Sequence, residues 1–391
     1  MIPWVGTVSM AATEKRLYSH TPPHGDRYME VIDQARSRLA RGDAAGAQAL
    51  LDKALQGYQA AGDRAGGAAV LHEMAVQART RGDLALAEPA LRQAIQLRLS
   101  LGDHAGWVAS VFELGLLERA RGQAALATDI FARALYSARQ LNDYPHIAAC
   151  LHYLALIHGE AGDLDTAETL LNEALEVRGT IDDRGGQSAT LHQLGRLREG
   201  QHDLFAALDY YKRSLAFAEQ VGDEAGQLAN LTQLGAVHQA RNRPAEAERC
   251  YRAALDLARR GGRPELIAAN LRHLGEAAYN RGDYAAAFEA LWQAHTVDPR
   301  DNPLKWMYPL YLSAGPEVFI AQARRLSVDP ALLDQVAQYE PPGDPSGPPT
   351  LAQLVALRLR VGPQQFAVLA QQSQIPADIV AKVESAAQSL A

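Results

Sequence analysis

A chain of 391 residues has room for two or three ordinary domains or for one long repeat array, and its composition favours the array: hydrophobic residues make up 48% but aromatics only 6%, so the helix formers Ala and Leu carry the apolar content. A net charge of −7 and a pI near 6.0 exclude an overall basic field for nucleic acid or anionic membrane. Two cysteines, Cys150 and Cys250, without Cys or His partners at metal-site spacing, encode neither a disulfide framework nor a zinc site and read as two small core residues.

Residues 1–24 form an N-terminal extension. Its start, Met1-Ile2-Pro3-Trp4-Val5, lacks the basic beginning and apolar stretch of a secretory signal, and no later run is long enough to span a bilayer. A soluble, cytoplasmic chain with no membrane partner is expected. From residue 25 to 300 the sequence superimposes on itself with a shift of 40 residues, giving seven units. One column reads Ala47, Ala87, Ala127, Ala167, Ala207, Ala247, Ala287, and another Ala54, Ala94, Ala134, Ala174, Ser214, Ala254, Ala294. Between them lies a bulky column, Leu51, Leu91, Phe131, Leu171, Tyr211, Tyr251, Leu291. The offsets place these residues on one face of a second helix in each unit. A first helix carries its own stripe, Leu71, Met74, Ala75 and Ala78 in the second unit, and Gly115, Gly195, Gly235 and Gly275 sit inside such helices. Their cost in a helix is explained if two helices cross there and only a missing side chain permits the approach.

At half the period stands Gly-Asp: Gly42-Asp43, Gly62-Asp63, Gly82-Asp83, Gly102-Asp103, Gly162-Asp163, Gly222-Asp223 and Gly282-Asp283. Gly closes one helix in the left-handed conformation and Asp caps the amides that open the next. Asn142-Asp143, Asp182-Asp183, His202-Asp203 and Asn242-Arg243-Pro244 are looser versions, and Gly261-Gly262-Arg263-Pro264 is a cap of the same kind rather than a cofactor loop. Links this short make neighbouring helices antiparallel. The register ends at Pro299; 301–340 reads as a helical C-terminal cap over the last repeat, 341–350 as a Pro/Gly linker, and 351–391 as a small helical tail.

Leu194-Gly195, Ala207, Tyr211 and Ser214, and again Leu234-Gly235, Ala247, Tyr251 and Ala254, resemble the tetratricopeptide repeat. The resemblance covers about Arg27 to Pro299, with the first unit degenerate because Gln34 replaces a Leu. The long unit is similar to that of cell-polarity adaptors, kinesin light chains and bacterial signalling regulators. It implies an all-α fold, a right-handed superhelical solenoid of about seven helix-turn-helix repeats plus a C-terminal helical region, and a protein-binding role without catalysis or cofactor.

In that family the first helices line the concave side. Carried over, the columns just off the core stripe are His72, Phe112, His152, His192, Thr232, Arg272; Val76, Leu116, Leu156, Arg196, Ala236, Glu276; and Arg79, Arg119, Gly159, Glu199, Gln239, Tyr279. They vary in chemistry where the core columns do not, as a surface reading a non-repeating ligand would. Phe112, Leu116, Tyr153 and Leu156 are expected to form an apolar patch flanked by Arg79, Arg119 and Arg196, suited to a peptide with hydrophobic and acidic residues. His72 and His192, with His152 between them, read as partly exposed groove residues rather than a metal site.

No phosphate-cradling loop, paired metal histidines or nucleophile elbow is present, so no catalytic residue is expected. In the tail, Phe366, Leu369-Ala370, Ser373, Ile375, Val380 and Val383-Glu384 resemble the helix-turn-helix core of phage-repressor-type DNA-binding domains. Phe366 replaces the Gln that should open the second helix, and Asp378 and Glu384 oppose Lys382. Arg358, Arg360 and Lys382 are too few for phosphate contacts, so nucleic acid is disfavoured and the expected role of the tail is self-association or capping by a small helical bundle. A second reading of the whole chain is a peptide-sensing regulatory solenoid of a bacterial transcription or signalling system, its groove taking a peptide signal and passing the change to the tail.

Overall fold

A computed structural model describes residues 26–300, 302–338, 354, 358, 363–372 and 375–390, so the N-terminal extension and the 341–350 linker lie outside the described residues. Among the described residues there are nineteen α-helices and no strand. Fourteen helices form seven consecutive pairs. The pairs are α1 (Asp26–Ala40) with α2 (Ala44–Ala60), α3 (Arg64–Thr80) with α4 (Leu84–Leu101), α5 (His104–Ala120) with α6 (Ala124–Leu141), and α7 (Tyr144–Glu160) with α8 (Leu164–Thr180). They continue as α9 (Arg184–Gly200) with α10 (Leu204–Val221), α11 (Glu224–Ala240) with α12 (Pro244–Arg260), and α13 (Pro264–Asn280) with α14 (Tyr284–Val297). Then come α15 (Leu304–Ala314), α16 (Pro316–Arg325), α17 (Pro330–Gln338), α18 (Pro363–Gln372) and α19 (Ala377–Leu390). The fold is an all-α helical-repeat solenoid. Two compact bodies divide it, up to Asn230 and from Leu231 onward.

The helix boundaries follow from local chemistry. A left-handed residue falls at every twentieth position from Gly42 to Gly282. Most are glycines, but Asn142, Asp182, His202 and Asn242 adopt the same conformation at φ of 54°, 49°, 61° and 56°. The looser punctuation therefore has the same geometry as Gly-Asp. After most of these residues the next side chain caps the following helix: Asp43 Oδ1 accepts from Gly46 N at 2.8 Å, Asp103 from Gly106 N at 2.9 Å, and Asp183 from Gly186 N at 3.0 Å.

Inside each pair the bulky column meets the first-helix glycines. A Cβ on Gly115 would stand 2.6 Å from the Phe131 ring, and one on Gly195 2.7 Å from Tyr211. Where the second helix carries Leu91 or Leu171 instead, the first helix carries Ala75 or Ala155, and each Ala packs in one cluster with its Leu. A ring thus faces glycine and an isobutyl group faces a methyl. The last pair departs from this, because Gly275 faces Leu291 at 2.5 Å. Gly195→Ala should lower stability by about 1–3 kcal/mol through overpacking. Adding Tyr211→Leu should recover part of that loss, since it recreates the Ala155–Leu171 arrangement. Chemical denaturation of the two single variants and the double variant checks this; strictly additive losses would contradict it.

In the second body α15, α16 and α17 bury the last pair. Met307, Leu310, Phe319, Ala323, Val328 and Val336 share a cluster with Phe288 and Leu291, and the Phe288 and Phe319 rings meet edge-on at 4.9 Å. Phe366, Ala370, Val383 and Leu354 form a separate small core in the tail. Arg358, one of three cations counted toward a duplex, is 2.8 Å from Glu384. Of the two cysteines expected in the core, Cys150 is buried but Cys250 is only half-buried.

Candidate interaction surface

The structure relocates the apolar residues expected to line an open groove. Phe112, Leu116, Tyr153 and Leu156 are buried members of one core cluster. The Phe112 ring lies 5.5 Å from Phe131, 5.7 Å from Tyr153 and 5.9 Å from His146. Phe131 and Tyr153 stack at 5.5 Å, with ring planes 12° apart. The patch is thus the joint between the third and fourth pairs. Each first helix packs on the next one, so a residue just off its own stripe is covered by its neighbour rather than left facing solvent. The histidines need the same correction: His72, His152 and His192 are buried, not partly exposed.

What the buried column does is polar stitching. His72 Nδ1 hydrogen-bonds Ser110 Oγ at 3.2 Å, and His192 Nδ1 bonds Asn230 Oδ1 at 3.0 Å. Asn230 Nδ2 in turn donates to Gly226 O at 2.8 Å. In the second body Thr232 Oγ1 donates to Asn270 Oδ1 at 3.2 Å, in the same register. Burial pushes the imidazoles of His72 and His152 well below their ordinary range, and the guanidiniums of Arg98 and Arg178 respectively add to it. His192 is brought down to about 4 by burial, with its bond to Asn230 acting the other way and the Arg196 guanidinium adding to the fall. These rings are neutral partners in a packed seam. No group of His, Cys, Asp or Glu among the described residues could hold a metal ion.

The residues left half-exposed are cations. Arg79 Nε donates to the buried Glu113 Oε2 at 2.9 Å. Arg119 Nη2 donates to Glu160 Oε1 at 2.7 Å, and its guanidinium carbon lies 5.7 Å from the Tyr153 ring centroid. Arg196 is half-buried, which lowers its pKa, while Tyr211, Glu199 and Glu160 act the other way. Tyr211 donates to Glu199 Oε2 at 2.7 Å. The Arg119 guanidinium therefore sits over the buried Tyr153 ring, while Arg79 and Arg196 are partly exposed on the first helices of the second and fifth pairs.

Two buried arginines carry structure to which the columns gave no clue. Arg98, at the end of α4, reaches into the start of α5, where Nη1 donates to Gly106 O at 2.5 Å and Ser110 Oγ at 2.7 Å. Arg178 repeats this 80 residues on, donating to Gly186 O and to Thr190 Oγ1 at 2.7 Å, with Asp183 at 3.9 Å. A Cβ at Gly106 or Gly186 would stand 2.8 Å from the guanidinium nitrogen Nε, so each clasp needs its glycine. Where the second helix has Ala138, the next first helix has His146, bonded to its own cap Asp143 at 2.8 Å. The signal is present in the sequence as an alternation over three units, Arg98, Ala138, Arg178 against Gly106, His146, Gly186.

Repeat geometry and residue pattern agree with a comparison against protein families, in which the tetratricopeptide repeat model matches residues 107–180 and 186–260. These residues are tetratricopeptide repeats. Among curated proteins none matches the sequence. Among solved structures, a signal-transduction ATPase with a tetratricopeptide repeat sensor from Pyrococcus horikoshii aligns with a TM-score of 0.59 at 17% identity, over 75% of this chain and 44% of its own. The apo form of RapI aligns at 0.53 and 12% identity, over 71% of this chain and 100% of its own. The apo quorum sensor NprR from B. thuringiensis aligns at 0.52 and 13% identity, over 80% and 85%. At these identities the tetratricopeptide likeness is one of fold. Among the described residues no helix is long and apolar enough to cross a membrane.

Proposed function

We propose that the repeat array of residues 25–300 is an interaction scaffold that holds an acidic peptide or protein segment along its first helices, with 301–340 as its cap and 351–391 as a separate helical piece. The observation that carries this reading is the set of partly exposed first-helix guanidiniums, Arg79, Arg119 and Arg196, with Arg119 lying over the buried Tyr153 ring. Arg119 and its partner Glu160 are both accessible, so a ligand carboxylate can take the place of Glu160 without exposing apolar surface. Phe112 is unsuitable for a test because its truncation would open the core. Peptides selected on the wild-type chain should lose at least about tenfold in affinity to Arg119→Glu and Arg196→Glu variants that keep their helical signal, and should weaken as salt rises. Equal affinity for the folded variants would sink the proposal.

The regulatory reading differs in the consequence of binding. NprR, described as a quorum sensor, is comparable over most of this chain, and the tail has a small core of its own. If groove occupancy passes to the tail, amide exchange in α18 and α19 should change when an acidic peptide binds. Unchanged exchange supports the static scaffold.

A further inference from the structure

Adjacent glycines in α3 have opposite explanations. Gly66 must lack a side chain, because the Tyr58 ring stands 2.7 Å from where its Cβ would lie. Gly67 has no such reason: a Cβ there would meet Leu55 Cδ1 at 4.0 Å, an ordinary contact. A helix-interior glycine is costly relative to alanine, and no contact in the fold explains this one. The later pairs fill the same position with Trp107, Ile147 and Gln187. In the third pair Trp107 packs on the core beside Ile95, the counterpart of Leu55. In the second pair that wedge is missing, and a cavity of about 580 Å³ opens between α2 and α4.

The cavity has the volume and make-up of a small-molecule site. Its walls are Leu55, Tyr58, Leu71 and Leu97, with Arg64 and Gln96 among the polar residues lining it. Arg64 is exposed, and its guanidinium donates to a neutral acceptor, Ser100 Oγ, at 2.7 Å. The second arginine of the lining, Arg92, is already ion-paired with Glu88 at 2.7 Å, and Asp63 is engaged by Gly66 N at 2.9 Å. Arg64 is thus the charge left for a ligand.

We propose that this cavity binds a small amphipathic carboxylate, its aromatic or medium-chain aliphatic body filling the space left by the missing side chain at Gly67 and its anionic head meeting Arg64. The site lies between second helices and does not depend on the peptide surface proposed above.

Octanoate and its neutral counterpart octanamide, titrated into the full chain by calorimetry, test this. Saturable one-to-one binding of octanoate is expected, with the amide weaker by about tenfold for loss of a charge-assisted bond. Gly67→Trp, which installs the residue of the third pair, should abolish binding while leaving the helical signal intact. Gly67→Ile, which installs the residue type found at Ile147 in the fourth pair, serves if the larger side chain disturbs folding. Arg64→Gln should weaken octanoate to the level of the amide and leave the amide unchanged. Undiminished octanoate binding by folded Gly67→Trp or Gly67→Ile overturns the site, as does the absence of saturable binding to the wild type. Equal binding of acid and amide overturns the assignment of an anionic ligand.

Discussion

Acidification from pH 7 to pH 5 should destabilise this protein steeply, and most of the loss should trace to His72, His152 and His192. Each imidazole is buried and held neutral in the folded chain, His192 down to about 4 and the other two well below their ordinary range. Unfolded, each binds a proton once the pH falls below about 6.5. Between about 6.5 and 4 the unfolded chain therefore holds more protons than the folded one, and stability falls as pH falls. At pH 5 the loss from His192 alone is about 2 kcal/mol, with His72 and His152 adding in the same direction. The groups facing these rings cannot offset it, because Arg36, Arg79 and Arg98 surround His72, and Arg119 and Arg178 surround His152. Urea unfolding at pH 7 and pH 5 measures the effect. A variant with Gln at all three positions should show a much smaller difference between the two conditions. An unchanged difference would mean that the rings are protonated in the folded state.

The same histidines show where sequence reading succeeds and where it stops. The helix boundaries are legible because their cause is local: a left-handed residue and a capping Asp act within a few residues of each other, and even His202-Asp203 keeps the geometry. The core columns are legible because one residue size recurs every 40 positions. The direction in which Phe112, Leu116, Tyr153 and Leu156 face is not. A column next to the core stripe can point at the groove or at the neighbouring pair, and the packing of one first helix on the next decides it. Variation along those columns suggests ligand recognition, but in His72–Ser110 and His192–Asn230 it reflects different ways of bridging consecutive pairs. The flanking cations Arg79, Arg119 and Arg196 are partly exposed. Gly67 stays hidden in the sequence because a missing side chain leaves no mark until its neighbours' positions are known.

Alternation hides the clasps as well, and they support the second large prediction. Arg178→Met should cost about 3 kcal/mol or more, the range for breaking a buried ion pair by removing one partner. Arg178 has no exposed surface, and Asp183, left behind, is itself buried and would keep its charge with only the helix-opening Gly186 amide to meet it. Gly186 O and Thr190 Oγ1 would also lose their donor. Adding Asp183→Asn removes the stranded charge and keeps a side chain able to accept from Gly186 N, so the double variant should regain a large part of the loss. Arg98→Met should cost less, because Asp103 is about one-third exposed and water can solvate it once the arginine is gone. Denaturation of these variants at pH 7 separates charge from packing. If Arg178→Met and the double variant are equally destabilised, the clasp acts through the volume of its side chain; if the double variant recovers and Arg98→Met is mild, the buried charge is what joins the fourth pair to the fifth.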